Sequence, residues 1–463
     1  MTYFLLILVL LVATACATQN VDVVIVGAGT AGITALRTLT DAGRTNVVVL
    51  EANSRYGGRM NTVTVPGYPY PVELGCSFVA DSNYNPMIQL FNQANIALQA
   101  MDFSNTKAWK DGRPLNANQG SRIYNNYLDI WSKAQPFFQT GRSKADAIRL
   151  GGYDFDDRGV ETLLMTDEQI WGDNLEKIDS NANDEAPEPL GTNYLVPGGY
   201  KQILDYLLDY PTSTRSKLQL NSLVTKIDYS SPNGKTTVTY IQNSVTKQIT
   251  ANKVVVAIPM GVLKANVVTF VPALPADKQN SINTVNFGSC GKTFLFFPPS
   301  AVPILAQYPV NIFYRLGLLP NPRYYDALTY FYNNQYVQGQ PVIQSFYCGN
   351  FSRNLELQSD AQIVALHMTK LREFLPTLPD PSTYLITRWT SDPLFRGVYT
   401  DFAVGNTLQN NFLPMTTPIQ NKIYFAGEYI ASLDANGNLL ASLGNVYTAY
   451  VAAKNVIQQI LGN

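Results

Sequence analysis

Residues 21–59 read VDVVIVGAGTAGITALRTLTDAGRTNVVVLEANSRYGGR. The stretch opens on an apolar run, residues 21–26, which enters a turn with the spacing Gly27-x-Gly29-x-x-Gly32. Apolar residues then recur at helical spacing up to Gly43, and a second apolar run, residues 47–50, ends at Glu51. This order of patterns predicts a strand, a helix and a second, parallel strand.

Each glycine of this turn has a separate physical function in dinucleotide binding. Gly27 permits the tight turn, Gly29 lets the backbone approach a pyrophosphate, and Gly32 lets the helix pack closely on the strand. The helix start offers unpaired amides to the phosphates, and the carboxylate of Glu51 accepts a hydrogen bond from a ribose hydroxyl. A strand–turn–helix without a ligand could carry the same glycines. The acid at this spacing after the second strand favours the dinucleotide site.

The residues that follow Glu51 indicate which dinucleotide is bound. Residues 55–59 read RYGGR. Gly57 and Gly58 let the backbone pass close to a second phosphate-bearing segment, while the guanidinium of Arg59 pairs with the anion. Nicotinamide dehydrogenases have no general need for this extension. We therefore predict a site for FAD.

Composition agrees with an enzyme that buries a large cofactor. The chain has 463 residues, of which 46% are hydrophobic and 14% charged, enough for two lobes with large cores. Its net charge of −1 without a basic tract argues against a nucleic-acid partner. The single histidine, His367, argues against a histidine-centred triad or a multi-histidine metal site, so we predict no metal and a structural role for His367. The 28 tyrosines would also suit an aromatic-lined pocket.

The N-terminus is typical of a secretory signal peptide. Residues 4–13 read FLLILVLLVA, too short for a typical membrane-spanning helix, and residues 15–17 are small, as a cleavage site requires. We predict a signal peptide over residues 1–17, secretion, and no stable membrane insertion after cleavage. An uncleaved anchor and a lipid-anchored Cys16 are the alternatives.

Three cysteines would remain after cleavage: Cys76, Cys290 and Cys348. This number allows at most one disulfide, and the sequence does not say which cysteines pair. Asn350 begins an N-x-S sequon, which predicts a glycosylation site in a secreted protein if it is exposed.

The apolar patterning predicts that the chain enters the dinucleotide-binding domain three times. We assign residues 18–80, 190–265 and 385–463 to a discontinuous, Rossmann-like FAD-binding domain of α/β class. Residues 81–189 and 266–384 are assigned to a second, α+β domain that binds the substrate. The last return contains the strand-like run 423–426, then Gly427 and Glu428, and a helix opened by Gly444.

At this point the chain resembles the flavin-dependent amine oxidase family, and most closely its polyamine oxidases. Five segments carry the resemblance. They are GAGxxG to GGRM in residues 27–60, VELG at 72–75 before Asn85-Pro86, VAIPMGVLK at 256–264, the RWxxDPxxxGxY pattern at 388–399, and YFAGE at 424–428. The resemblance implies the fold of that family over most of residues 20–460.

The resemblance also implies roles for individual residues. Glu51 would bind the adenosine ribose, Arg59 the pyrophosphate, and the backbone of Val224 the adenine, while Glu428 would contact the ribityl–phosphate end of FAD. Lys292 matches the family lysine that holds a water beside the reactive ring nitrogen of the flavin. A strand lysine that reaches solvent is the alternative for Lys292.

The resemblance further implies walls for the substrate site. Tyr399 and Trp389 are candidate walls beside the flavin ring. Glu176 and Asp81 are candidates for the acids that line the substrate tunnel in this family, although solvated loop acids would look the same. Monoamine oxidases attach FAD through a cysteine near the C-terminal end, and none follows Cys348. The FAD is therefore predicted to be non-covalent.

The implied reaction is the oxidation of an amine, with dioxygen as the acceptor and an aldehyde, an amine and hydrogen peroxide as products. The expected substrates are spermine and spermidine. Two alternatives stay open within the fold, an L-amino-acid oxidase, for which Arg396 could bind the carboxylate, and another monoamine oxidase. A secreted flavin-binding protein without catalysis is the alternative from another class. The sequence leaves the oligomeric state open.

Overall fold

The computed structural model describes residues 19–80, 85–155, 158–182, 191–231, 234–316, 328–433, 439 and 443–462. The predicted signal peptide and Asp81 lie outside these residues. In chain order the described strands are β1 (Gln19–Val26), β2 (Val47–Leu50), β3 (Thr62–Val63), β4 (Val72–Glu73), β5 (Val79–Ala80), β6 (Gln99–Met101), β7 (Thr106–Lys110), β8 (Arg113–Pro114), β9 (Asn193–Leu195), β10 (Leu218–Gln219), β11 (Ser222–Asp228), β12 (Thr236–Gln242), β13 (Val245–Val256), β14 (Thr269–Val271), β15 (Asn286–Phe287), β16 (Cys290–Phe296), β17 (Ile312–Leu316), β18 (Tyr330–Asn333), β19 (Val342–Cys348), β20 (Thr383–Ile386), β21 (Thr400–Asp401) and β22 (Ile423–Phe425).

The described helices alternate with these strands. In chain order they are α1 (Thr30–Asp41), α2 (Pro86–Gln93), α3 (Ala117–Ala134), α4 (Lys144–Leu150), α5 (Arg158–Trp171), α6 (Gln202–Asp209), α7 (Met260–Lys264), α8 (Ala276–Thr284), α9 (Val302–Ala306), α10 (Asn334–Gln338), α11 (Gly349–Glu356), α12 (Asp360–Arg372) and α13 (Val446–Gly462).

The first sheet contains the predicted strand–helix–strand unit. Its strands run in the order β10-β2-β1-β13-β12-β11-β14, and β22 also pairs with β13. β1 is parallel to both β2 and β13, with Val26 opposite Leu50 and Val256. Because β1, β2, β13 and β22 are parallel, their carboxyl ends share one edge, where α/β sheets bind ligands. The predicted α/β, Rossmann-like class is confirmed.

The two faces of β1 pack against different layers. Val23 and Ile25 pack with Ile33 and Leu36 of α1 and with Ile457 of α13 in one buried cluster. The alternate residues of the strand belong to a second buried cluster on the opposite face. A parallel strand buried on both faces must be apolar throughout, which is why residues 21–26 read as an almost continuous apolar run.

The second sheet carries the strand of Lys292. Its order is β20-β16-β19-β18-β17-β7-β8, and every residue of β16 is buried. Because side chains alternate along a strand, Lys292 shares a face with Phe294 and Phe296. Those two rings pack with Val72 of β4, so this face is directed toward the 72–77 segment.

Several strand pairings cross the boundaries of the predicted segments. β15 of the predicted segment 266–384 pairs with β21 of the predicted segment 385–463. β14 belongs to the first sheet although it lies beyond residue 265, the predicted end of that segment. β9 falls inside the predicted FAD-binding segment 190–265, yet it pairs with β5 and with β6 of the predicted substrate-binding segment. None of these short strands has a sequence pattern that specifies its partner.

A disulfide links two neighbouring strands of the second sheet. Cys290 of β16 and Cys348 of β19 are direct register partners and are bonded to each other. Cys76 is the free cysteine among the described residues. The structure therefore selects one of the pairings that the sequence left open, and it ties the strand of Lys292 to its neighbour.

Removing this disulfide is expected to destabilise the protein. The bridge joins residues 58 positions apart. A loop of that length predicts that Cys290→Ala/Cys348→Ala lowers the free energy of unfolding by about 4 kcal/mol. Urea unfolding with and without reductant measures the effect. The parent in reductant should match the double variant, and Cys76→Ala should still respond to reductant. Equal midpoints for the oxidised parent and the double variant would contradict the prediction.

His367 has the structural role predicted for it. Its Nδ1 donates to the carbonyl of Ile363, so its Nε2 accepts from the hydroxyl of Ser345, at 2.7 Å each. Burial lowers the pKa of His367 to about 4, which keeps the ring neutral at pH 7.

Within the described part of the chain, no helix has the length and apolar character needed to cross a bilayer.

Candidate active site

A single cavity brings most of the predicted site residues together. It has a volume of about 480 Å³ and extends from the carboxyl edge of the first sheet to β16 of the second. The predicted residues that line it are Gly27, Gly29, Glu51, Gly58, Arg59, Val224, Lys292, Trp389, Tyr399 and Glu428. Gly32 lies below the cavity, where it serves packing.

The glycine turn has the geometry that a phosphate-binding loop requires. Gly27 has φ +103°, and a Cβ there would lie 2.6 Å from the carbonyl oxygen of Ala257. A Cβ on Gly32 would lie 1.9 Å from the oxygen of Gly27, so α1 could not pack on the turn. At Gly29 a Cβ would meet no protein atom within 4 Å. The open space at Gly29 faces the cavity and can accept a ligand phosphate.

Glu51 is held at the end of β2 by backbone amides. Its Oε2 accepts from the amide of Ala28 at 2.7 Å, and its Oε1 accepts from the amide of Asn53 at 2.8 Å. Burial raises the pKa of Glu51, and these amides oppose that rise. The carboxylate is therefore fixed beside the glycine turn. Its remaining lone pairs can accept from ribose hydroxyls.

Two long helices begin at the cavity. α1 starts directly after Gly29, and α13 starts at Val446; Thr30, Ala31 and Asn445 also line the cavity. The first amides of a helix have no partner within the helix and carry partial positive charge. Both helix starts therefore favour the phosphates or the polar edge of a ring system.

Arg59 and Glu428 lie together, although the sequence assigned them separate contacts. Arg59 donates to Glu428 Oε1 at 3.1 Å and to the carbonyl of Val398. Glu428 also accepts from the amide of Thr400 at 3.2 Å and from its hydroxyl at 3.1 Å. These bonds fix both charges where the cavity passes from one sheet to the other. The spacing of 369 residues gave no sign of this pairing.

Val224 lies on β11 at an irregular point of the ladder. The register with β12 shifts between Val224 and Lys226, so Thr225 has no register partner on β12. Val224 and Thr225 both line the cavity. Backbone groups near such a shift can contact a ligand instead of a neighbouring strand, as the predicted adenine contact requires.

Lys292 makes three hydrogen bonds to the loop that follows β4. Its Nζ donates to the carbonyl of Glu73 at 3.0 Å, to the carbonyl of Gly75 and to the hydroxyl of Ser77. Burial lowers the pKa of Lys292 to about 8. The buried ammonium is therefore a positioned group in the cavity wall, in contrast to the solvent-reaching lysine that was the alternative.

Aromatic rings surround Lys292. Trp389 Nε1 donates to the carbonyl of Leu74 at 3.1 Å, and the hydroxyl of Tyr399 donates to the carbonyl of Gln169. These bonds hold both rings in the cavity wall. Sequence reasoning did not identify the further wall residues of this region, for which the high tyrosine content was the only signal. They are Ser77, Phe78, Tyr332, Gln344 and Phe346.

The structure does not bring the predicted tunnel acids to the cavity. Glu176 pairs with Arg149 at 3.5 Å and is absent from the lining. Asp81 lies outside the described residues. Glu51 and Glu428 are the carboxylates among the described lining residues, and both belong to the dinucleotide half.

Two other predicted residues have defined surroundings. Arg396 is exposed and lines the cavity, and its carbonyl lies close to Gly261 of α7. Asn350 lies half-buried on α11, with its Oδ1 3.3 Å from Arg353, and Ser352 of the sequon is buried. Glycosylation at Asn350 stays a prediction.

The arrangement suits a long dinucleotide with a reactive ring beside Lys292. The turn at Gly29, the carboxylate of Glu51 and the two helix starts match a ribose and a pyrophosphate. The end of the cavity at Lys292, which we call the aromatic end, is walled by aromatic rings and can take a flat ring and an apolar substrate.

No cluster of three potential metal ligands occurs among the residues that the structure describes.

Comparisons with known proteins agree with this geometry. The model of the flavin containing amine oxidoreductase family matches residues 30–435. Polyamine oxidase 4 of Oryza sativa subsp. japonica is 27% identical over 457 residues, which cover 93% of this chain and 87% of that protein. Polyamine oxidase 2 of Arabidopsis thaliana is 26% identical over 440 residues, with 90% and 84% covered. A solved structure of a putrescine oxidase double mutant has a TM-score of 0.73 at 17% identity, covering 96% of this chain and 100% of that one, which shows the shared fold.

Proposed function

The chain belongs to the flavin-containing amine oxidoreductase family, and we propose that it is a polyamine oxidase that acts on spermine or spermidine. The observation that carries the proposal is the continuous cavity. It joins the dinucleotide-binding residues to a buried lysine and to an aromatic pocket of the size that a small molecule needs. The similarity to polyamine oxidases over most of the chain supports this substrate class.

FAD is the cofactor, and the residues of the cavity fit it. Gly29 leaves room for the pyrophosphate, and Glu51 presents its carboxylate to the ribose. The Arg59–Glu428 pair lies where the cavity passes from the first sheet to the second, and the middle of the FAD molecule would lie beside it. FAD supplies the redox chemistry when bound, taking a hydride from the substrate and passing the electrons to dioxygen. The protein supplies binding, orientation and electrostatics.

The aromatic end selects the form of the amine that reacts. Only a neutral amine has the lone pair needed to support loss of hydride from the neighbouring carbon. A pocket walled by Phe78, Tyr332, Phe346, Trp389 and Tyr399 penalises a charged ammonium by desolvation and so lowers its pKa. The buried ammonium of Lys292 adds repulsion of the same sign. Both effects favour the reactive form.

The overall reaction consumes one amine, one dioxygen and one water. A carbon–nitrogen bond of the substrate is oxidised to an imine as dioxygen is reduced to hydrogen peroxide. Water then hydrolyses the imine to an aldehyde and a free amine.

A second candidate is the oxidation of a monoamine. The described wall around Lys292 carries no carboxylate to pair with a distal ammonium of a polyamine. An L-amino-acid oxidase has less support, because Arg59, a half-buried arginine of the cavity, is already bonded to Glu428, and Arg396 is exposed. A flavin-binding protein without catalysis would not need the buried, hydrogen-bonded Lys292.

A peroxide-release screen of the purified protein tests these functions. The compounds are spermine, spermidine, their acetylated forms, monoamines and L-amino acids. Peroxide with polyamines alone is the expected result. Turnover confined to monoamines or amino acids would replace the proposed substrate class, and a yellow protein inert to every compound would support binding without catalysis.

We also propose that the protein enters the secretory pathway. The apolar N-terminal run and the Cys290–Cys348 bridge support this, since disulfides persist in oxidising compartments. Sequencing the N-terminus of the protein recovered from the medium should find it at residue 18. Protein that keeps residues 1–17 and stays with the cells would contradict the proposal.

Denaturation is expected to release intact FAD. Cys290 and Cys348 are bonded to each other, and no cysteine follows them in the chain, which leaves Cys76 as the thiol among the lining residues. Burial raises the pKa of Cys76, so its thiol stays protonated and weakly nucleophilic. Acid precipitation should leave the flavin in the supernatant. Flavin that stays with the parent polypeptide but not with Cys76→Ser would identify a covalent link.

A further inference from the structure

The Cys290–Cys348 disulfide borders the cavity through one of its two cysteines. Cys290 lines the cavity, and so does Lys292, two residues further along β16. Because side chains alternate along a strand, these two side chains belong to the same face of β16. Cys348 is absent from the lining. The aromatic end of the cavity, which fits the flavin ring, is therefore bordered by Cys290.

The surroundings of Cys290 suit a free thiol as well as a bonded sulfur. Its Sγ lies 3.5 Å from the hydroxyl oxygen of Tyr399 and 3.7 Å from the carbonyl oxygen of Gly172. A disulfide sulfur has no hydrogen to donate, and the Tyr399 hydroxyl donates its own to the carbonyl of Gln169. A thiol at Cys290 can donate to either oxygen, because both are acceptors. The site thus accommodates both redox states of this sulfur.

The position of the bridge restricts which oxidant can form it. Cys290 and Cys348 are both buried. An external disulfide exchanges with a thiol only by direct contact with its sulfur, which burial prevents. FAD is the oxidant that the cavity holds beside Cys290. Groups held together in one site react as an intramolecular pair, with a large gain over the reaction of separate molecules.

We propose that FAD bound in the cavity is the oxidant that forms the Cys290–Cys348 disulfide, so that the protein closes its own bridge. The Cys348 sulfur bonds to the Cys290 sulfur, both thiols lose their protons, and two electrons pass from Cys290 to FAD. FAD takes up these electrons with two protons, and dioxygen then reoxidises it and is reduced to hydrogen peroxide. The positive charge of Lys292 on the same face favours the thiolate of Cys290. This activity requires FAD and no amine, so it goes beyond the proposed function.

The first experiment uses the holoenzyme in the absence of dioxygen and amine. A phosphine cleaves the disulfide, and a control with free FAD shows that the phosphine does not reduce the flavin by itself. The yellow parent should bleach by one flavin per chain, because each opened bridge closes again on FAD. Cys76→Ala should bleach as the parent does, and Cys290→Ala/Cys348→Ala should stay yellow. A parent that stays yellow while alkylation finds both thiols free would overturn the proposal, as would equal bleaching of the double variant.

The second experiment starts from the reduced chain and decides the case of a bridge that the phosphine does not reach. The parent is unfolded in urea with reductant, freed of reductant under argon, and refolded with or without FAD. Mass spectrometry after alkylation should find two thiols fewer per chain with FAD, and no loss without it or while urea keeps the chain unfolded. The flavin absorption should fall by one FAD per bridge. Thiols that persist in a refolded protein with bound, yellow FAD would overturn the proposal.

Single variants separate the redox reaction from a folding defect. Cys290→Ser and Cys348→Ser each leave one thiol, which cannot complete the bridge, so both should keep their FAD yellow in the two experiments. Flavin content and circular dichroism show whether they are folded. Full bleaching of Cys348→Ser would mean that electrons reach FAD without the bridge, which contradicts the proposal. If no amine reduces the parent, the proposed function fails, while these experiments still decide how the bridge forms.

Discussion

Lys292→Met is expected to slow flavin reduction by amine, reoxidation by dioxygen, or both, by about a hundredfold or more, the usual size of a proton-transfer or positioning role. Methionine fills a similar volume without the charge, so the fold and the yellow colour should persist. The three hydrogen bonds from Lys292 to the 73–77 segment are lost, and with them the positive charge in the cavity wall. Stopped-flow measurement of the two half-reactions decides the matter.

Lys278→Met is the matched control. Lys278 is also buried, donates to a backbone carbonyl, that of Pro414, and has its pKa lowered by burial, but it does not line the cavity. It should lose stability and keep both flavin rates. If both rates in Lys292→Met stay within about threefold of the parent, far short of the expected loss, Lys292 has only a structural role.

Glu51→Ala is expected to weaken FAD retention about tenfold or more, because a hydrogen bond from a ribose hydroxyl to a carboxylate is worth roughly 1.5–3 kcal/mol. The loss should exceed this minimum, because the amides of Ala28 and Asn53 lose their acceptor at the same time and the turn loosens. Fluorescence of free FAD, followed on dilution of the yellow protein, measures the dissociation constant.

Asp179→Ala controls for the loss of any buried carboxylate. Asp179 is buried and accepts from the amides of Gly141 and Gly405, but it lies outside the cavity lining. Its removal should lower the unfolding midpoint and leave FAD retention unchanged in the folded protein. If the affinity for FAD is undiminished in Glu51→Ala, then Glu51 holds the turn at the end of β2 and does not contribute to FAD binding.

Local patterns explain why the cofactor half could be predicted from the sequence. The glycine turn, α1, β2 and Glu51 form one contiguous segment of the chain, within which the carboxylate of Glu51 accepts from the amide of Ala28. Gly27, Gly29 and Gly32 have their positions because a side chain there would strike the backbone or fill the cavity. Such constraints leave a fixed spacing in the sequence. The fold class and the cofactor follow from them together with the family resemblance, and the comparisons confirm both.

The substrate half depended on contacts that sequence spacing does not record. Lys292 could be selected by resemblance, but its partners lie 215–219 residues away in the chain. The contact between Lys292 and Ser77 exists only because two separate segments meet. The same applies to Arg59 with Glu428 and to Cys290 with Cys348, each joined across the fold.

The sequence by itself determined the α/β class, the dinucleotide turn and the acid that follows it, because these depend on local backbone geometry and on the period of the apolar residues. The tertiary structure alone decided that Glu176 pairs with Arg149 away from the cavity, that β14 joins the first sheet, and that the described cavity wall around Lys292 carries aromatic rings and no carboxylate. The physical reason is the same in each case. A side chain's electrostatic environment depends on residues brought near it by long-range packing, and an isolated acid or lysine in a sequence carries no mark of that environment.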